Sequence, residues 1–126
     1  MKNVRIVLAD DEEIITDLLK DIMDMSLNRK AISFNNGLSA WQYIKDNNVD
    51  IVISDIDMPG MNGLELLRKV KTEFPEIIFI CMSGRALDHI EEASKLEANH
   101  FLAKPFLKDI KEFVRIIRKY ITEEEK

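Results

Sequence analysis

The chain has 126 residues, with 18 Lys and Arg against 23 Asp and Glu, a formal charge of −5 and 46% hydrophobic residues. That length supports one domain able to bury its own core, and the single Cys81 cannot form an internal disulfide, which fits a reducing, cytoplasmic setting. The apolar run after Met1-Lys2-Asn3 is too short for a signal peptide or a membrane span, and a net negative chain carries no cation excess for direct nucleic-acid binding.

Residues 4–9 form a short, mostly continuous apolar run, the pattern of a strand buried on both faces. A first helix follows, with Ile14, Leu18, Ile22 and Met25 as its predicted inward stripe and Glu12 and Glu13 at its positive end. The second strand is predicted over 30–34. Asn36 then caps a helix that turns Ala40, Trp41 and Ile44 inward. The third strand spans 51–54, and its helix carries Leu64, Leu67 and Val70 before stopping at Phe74-Pro75. A fourth strand over 77–82 leads to a weakly apolar helix with Ala86, Ile90 and Ala93. The fifth strand spans 100–103, and its helix carries Ile110, Phe113, Val114, Ile117 and Ile121. Residues 122–126 read as a solvated, fraying tail, so the domain is expected over 1–121.

Strict alternation with short connections means a parallel sheet covered by helices on both faces. Right-handed crossovers and five units favour a three-layer, doubly wound (βα)5 fold, flavodoxin-like, with strand order 2-1-3-4-5. Ligands bind such sheets at the topological switch, here the carboxyl ends of strands one and three.

Several separate segments deliver polar groups to that edge. Asp10-Asp11 follows strand one, Asp55 and Asp57 follow strand three, Ser83 ends strand four and Lys104-Pro105 ends strand five. Asp10 or Asp11 alone could equally be a helix cap, Asp55 a turn cap, and Ser83 an ordinary turn hydroxyl. Together they argue otherwise, because carboxylates 4 Å apart repel by roughly 4 kcal/mol per pair at an effective dielectric of 20. A divalent cation relieves that repulsion, and hard oxygen ligands favour Mg²⁺ over zinc or copper. His89 and His100 are isolated and share no ligand spacing with Cys81. With Lys104 as a point-charge anion partner, the set suits phosphoryl transfer to an aspartate.

These motifs resemble the receiver domain of two-component response regulators over nearly the whole chain. The resemblance rests on Asp10-Asp11, on Asp55-Ile56-Asp57-Met58-Pro59-Gly60-Met61-Asn62-Gly63, on Ser83, and on Phe101-Leu102-Ala103-Lys104-Pro105-Phe106. It implies a stand-alone module, not a metabolic enzyme, in which Asp55 accepts a phosphoryl group from a histidine kinase or histidine phosphotransfer protein. Asp11 and Asp55 would bind Mg²⁺ directly, Asp57 through its backbone carbonyl and Asp10 through water. Lys104 would pair with phosphoryl oxygens, with a cis bond to Pro105. Ser83 and Phe101 would form the switch that reports to a partner.

Some positions depart from the family pattern. Glu97 stands where glycine commonly ends helix four, so Asn99 is the expected left-handed residue. Asp57 adds a carboxylate beside the acceptor and is expected to alter phosphoryl lifetime. Phe101 lacks the hydroxyl of the commoner tyrosine. Phe113, Ile116 and Tyr120 on helix five either join the core, the favoured reading, or form an output surface with helix four and strand five. On that surface a monomer or weak homodimer meets an effector. The basic residues Lys108, Lys111, Arg115, Arg118 and Lys119 lie around them, and Ile14, Ile15 and Leu18 could receive the kinase.

The alternative is a small aspartyl-phosphate-forming phosphohydrolase, since Asp55-Ile56-Asp57 looks like the Asp-x-Asp of haloacid-dehalogenase-type phosphatases. Those place the motif after the first strand and need more chain. A flavodoxin-like cofactor binder lacks its phosphate-cradling loop here, and a degenerate receiver conflicts with intact Asp11, Asp55, Ser83 and Lys104.

Overall fold

The computed structural model describes residues 3–84, 86–103 and 110–125. Five strands alternate with five helices: β1 Ile6–Ala9, α1 Glu13–Leu27, β2 Ala31–Phe34, α2 Gly37–Asp46, β3 Ile51–Asp55, α3 Gly63–Glu73, β4 Ile78–Ser83, α4 Ala86–Lys95, β5 His100–Ala103 and α5 Ile110–Glu125. All neighbouring strands are parallel, in the predicted order β2-β1-β3-β4-β5.

The two-residue period of a strand splits its side chains between two cores. On one face Ile6, Leu8, Ile51, Ile53, Ile80 and Met82 pack with Leu19, Ile22 and Met23 of α1 and with Phe113, Ile116, Ile117 and Tyr120 of α5. On the other, Val7, Ala9, Val52, Phe79 and Cys81 pack with Trp41, Ile44, Leu66, Leu67, Val70 and Ala93 from α2, α3 and α4. Both faces of the central strands are thereby dry, which is why their sequences read as unbroken apolar runs. Among the described residues no helix is long and apolar enough to cross a membrane.

Asn36 caps α2 as predicted, accepting from the Ser39 amide at 2.8 Å, and Asn62 caps α3 in the same way at 2.9 Å. The predicted α1 stripe is rotated. Thr16, Leu19, Ile22 and Met23 are buried, whereas Ile14 is 82% and Met25 85% exposed. The helix carries more apolar residues than one face can bury, so periodicity alone did not single out the inward one. On α5, Phe113, Ile116 and Tyr120 belong to the core, leaving Ile110 exposed. Residues 122–125 are not a loose tail: α5 runs through Glu125, which pairs with Arg29 beyond the end of α1.

Helix α4 ends in a paired turn. Glu97 adopts φ +67°, its amide bonds the Ser94 carbonyl at 3.0 Å, and the Ala98 amide bonds that of Ala93 at 3.0 Å. Glu97 itself, not Asn99, is the left-handed residue, at a cost of about 1 kcal/mol relative to glycine. Asn99 is occupied otherwise. Its side-chain oxygen accepts from the Phe79 amide at 2.8 Å and from Lys71 Nζ at 2.6 Å.

Candidate functional site

The register of β1, β3 and β4 assembles the site. Ala9 pairs with Ser54 and Asp55 with Met82, so Asp10 leaves β1 level with Asp55 at the end of β3, with Ser83 one residue beyond on β4. Asp10 and Asp55 are almost wholly buried, at 1% and 3% exposure, while Asp11 is exposed. Carboxylate oxygens of Asp10, Asp11, Glu12 and Asp55 lie within 4.8 Å of one another. Four hard anionic donors at that spacing fit a divalent cation, because the carboxylates repel one another and positive charge among them relieves that repulsion.

Sequence reasoning placed Asp10, Asp11 and Asp55 together, and so does the fold. It treated Glu12 only as a favourable charge at the start of α1. Two residues past Asp10, Glu12 is turned to the cluster by a tight bend in which its amide donates to Asp10 Oδ1 at 2.9 Å. The continuous acidic run from Asp10 to Glu13 was the available signal. Asp10 therefore holds the start of α1 as well as standing in the cluster, so the capping and cation readings are not exclusive.

Beyond β3 the chain bends sharply. The Asp57 amide donates to Asp55 Oδ1 at 3.3 Å, Gly60 takes φ +72°, and the Gly63 amide donates to the Ile56 carbonyl at 2.9 Å. Gly63 is required by contact. A Cβ there would lie 2.2 Å from the Asp55 carbonyl oxygen and 2.6 Å from Ile56 Cα. The first residue of α3 thus rests directly on the backbone at the end of β3.

Asp57 is not part of the four-carboxylate cluster. Its side chain turns toward β4 and α4: Ser83 Oγ donates to Oδ2 at 3.3 Å, and His89 Nε2 lies 3.2 Å from Oδ1. His89 is therefore not isolated. Nothing in its sequence surroundings announces the contact, since 32 residues separate the two. Ser83 is fully buried, and Phe101, beside Cys81 in the sheet, is half-buried against the α2–α4 core. Cys81 is buried too, which pushes its thiol up to about 12 and leaves it inert. Lys104 and the Lys104-Pro105 bond fall outside the described residues.

The family model described as response regulator receiver domain matches residues 6–118. Sporulation initiation phosphotransferase F of Bacillus subtilis (strain 168) is 33% identical over 122 residues, 96% of each chain. The uncharacterized transcriptional regulatory protein YesN of the same organism is 41% identical over 104 residues, 80% of this chain but only 28% of that longer protein. The crystal structure of response regulator TrrA from Thermotoga maritima, in complex with Mg(2+)-BeF, superimposes with a TM-score of 0.83 at 26% identity, covering 93% of this chain and 98% of that one.

Proposed function

Because the chain belongs to the response regulator receiver domain family of two-component signalling, we propose that Asp55 accepts a phosphoryl group from a phosphohistidine on a histidine kinase or histidine phosphotransfer protein. The observation that carries this reading is the near-burial of Asp55 within a cluster of three further carboxylates at the carboxyl end of the sheet.

Asp10, Asp11 and Asp55, with Glu12 of the same cluster, would hold Mg²⁺, and the Asp57 backbone carbonyl is assigned as a further ligand. When bound, the cation neutralises charge on the transferring phosphoryl oxygens. A relative whose structure carries Mg(2+)-BeF and one named as a phosphotransferase support the same chemistry here. An Asp55 carboxylate oxygen forms the new bond to phosphorus as the phosphorus–nitrogen bond of the donor breaks, and the departing imidazole nitrogen keeps the electron pair. Lys104, which follows β5 in sequence, is assigned to the phosphoryl oxygens, and Ser83 to one of them once its hydroxyl turns from Asp57. Phe101 fills the space that this turn leaves.

The exposed Ile14 on α1, two residues past Glu12 of the acidic cluster, suits a docking donor protein. Output runs through α4, β5 and α5, where Ile90 and Ile110 remain exposed. The module is proposed to act in the cytoplasm as a monomer or weak homodimer, passing its signal to a protein effector. The phosphohydrolase alternative gains no support, since Asp55-Ile56-Asp57 begins at the last residue of β3 and the acidic pair follows β1.

Incubation with acetyl phosphate, with and without Mg²⁺, followed by intact mass, tests the reading. The expected product is about 80 Da heavier, depends on Mg²⁺ and is absent from Asp55→Asn. No adduct from acetyl phosphate or from a phosphohistidine protein overturns it.

A further inference from the structure

A chain of polar contacts joins the acceptor segment to helix α4. The Asp57 amide donates to Asp55 Oδ1, and the Asp57 carboxylate bridges Ser83 Oγ at 3.3 Å on Oδ2 and His89 Nε2 at 3.2 Å on Oδ1. A carboxylate offers no hydrogen, so Ser83 and His89 both donate. Ser83 is fully buried at the end of β4, and His89, on the first half of α4, is 19% exposed while Asp57 is 43% exposed. The Asp57 side chain thus stands between the group proposed to report phosphorylation and the helix proposed to transmit it.

We propose that Ser83, Asp57 and His89 form a latch that stabilises the unphosphorylated arrangement, with His89 acting as the positioning residue for Asp57. The proposal rests on Asp55 being the phosphoacceptor. A serine hydroxyl has one hydrogen, and while Asp57 receives it, an oxyanion on Asp55 does not. A phosphoryl group on Asp55 adds negative charge beside Asp57 and competes for the same hydroxyl, so the contact exists in one state and not in the other. A contact confined to one state biases the equilibrium by its own free energy. His89 fixes the Asp57 carboxylate in the orientation that receives Ser83, and opening the latch frees α4 from the acceptor segment. Partly exposed carboxylate pairs are modest, so the bias is a few-fold rather than all-or-none.

The test is the dissociation constant for beryllofluoride, a phosphoryl stand-in, measured by calorimetry at saturating Mg²⁺. The proteins compared are the native chain, His89→Leu, His89→Gln, Asp57→Ala and the Asp57→Ala/His89→Leu pair. Leucine removes the donor and should tighten binding about 2–5-fold. Glutamine keeps an N–H donor and should bind close to the native value. In the Asp57→Ala background the leucine substitution should change nothing, an outcome that a purely structural role for His89 would not give. Unchanged or weaker binding by His89→Leu overturns the latch, as does an equal gain with and without Asp57. Absence of binding by every protein, the native chain included, overturns the phosphoacceptor reading and the latch with it.

Discussion

At the amino-terminal ends of β4 and β5, Lys71 Nζ donates to the Ile77 carbonyl at 2.7 Å and to Asn99 Oδ1 at 2.6 Å, and Tyr120 Oη donates to the Asn99 carbonyl at 2.9 Å. Donors and acceptors there are matched across three elements. At the carboxyl ends of β1 and β3, Asp10, Asp11, Glu12 and Asp55 instead gather like charges on a bend tight enough to need Gly63. The first end consumes its polar groups in holding the fold. The second leaves carboxylates close together in an arrangement that fits a cation, and the matched end supplies stability against their repulsion. The two ends stand on different strands of one sheet, so the matched and the like-charged groups separate across its opposite edges.

Perturbing each end in turn sharpens the contrast. The largest effect is expected from Gly63→Ala at the carboxyl end, where the new Cβ meets backbone rather than a flexible side chain. A loss of about 3 kcal/mol in urea unfolding is expected. Asn99→Ala at the amino end strands the Phe79 amide and removes one of the two acceptors that Lys71 uses. It should cost about 2 kcal/mol while leaving phosphorylation of Asp55 by acetyl phosphate intact. Loss of phosphorylation there would show that the ends are coupled. Asp10→Asn should act in the opposite direction. With EDTA present it relieves repulsion and raises stability by about 1 kcal/mol, keeping the acceptor that the Glu12 amide uses, while the rise in Tm on adding Mg²⁺ shrinks.

The smallest effect is a pH slope at the amino end. Burial, then the Lys119 charge, hold the His100 ring below its usual range, with Arg115 acting the same way and Glu112 against it. The unfolded chain takes up a proton near pH 6.5 that the native chain resists, so stability falls as pH drops through that value. Denaturation midpoints from about pH 7.5 to 5.5 should decline in the native chain and flatten in His100→Gln. A slope unchanged by that substitution assigns the proton elsewhere.

Much of this was legible in the chain. Strand runs such as Ile51-Val52-Ile53 and the capping asparagines Asn36 and Asn62 act over a few residues, so local pattern suffices to read them. The acidic cluster was largely foreseen because the doubly wound order places the ends of β1 and β3 together whatever the loops do. The rotation of α1 was not, since Ile14 and Met25 are as apolar as Leu19 and Met23 and the sheet and α5 together decide which pair is covered. The left-handed residue after α4 was expected at Asn99 and is Glu97, because that conformation runs against the preference of the residue that adopts it.

The sequence alone determined the alternation of elements, the doubly wound sheet and the carboxylates at its switch point. These depend on side-chain period and on the order of segments along the chain. Tertiary structure decided which face of α1 is buried, that Glu12 joins the cluster, and that His89 reaches Asp57. Each of these depends on angles and distances between elements far apart in sequence, and no local pattern encodes them. The place of Asp55 among carboxylates at the sheet edge could be read from the chain, whereas the contact of Asp57 with His89 exists only in the folded molecule.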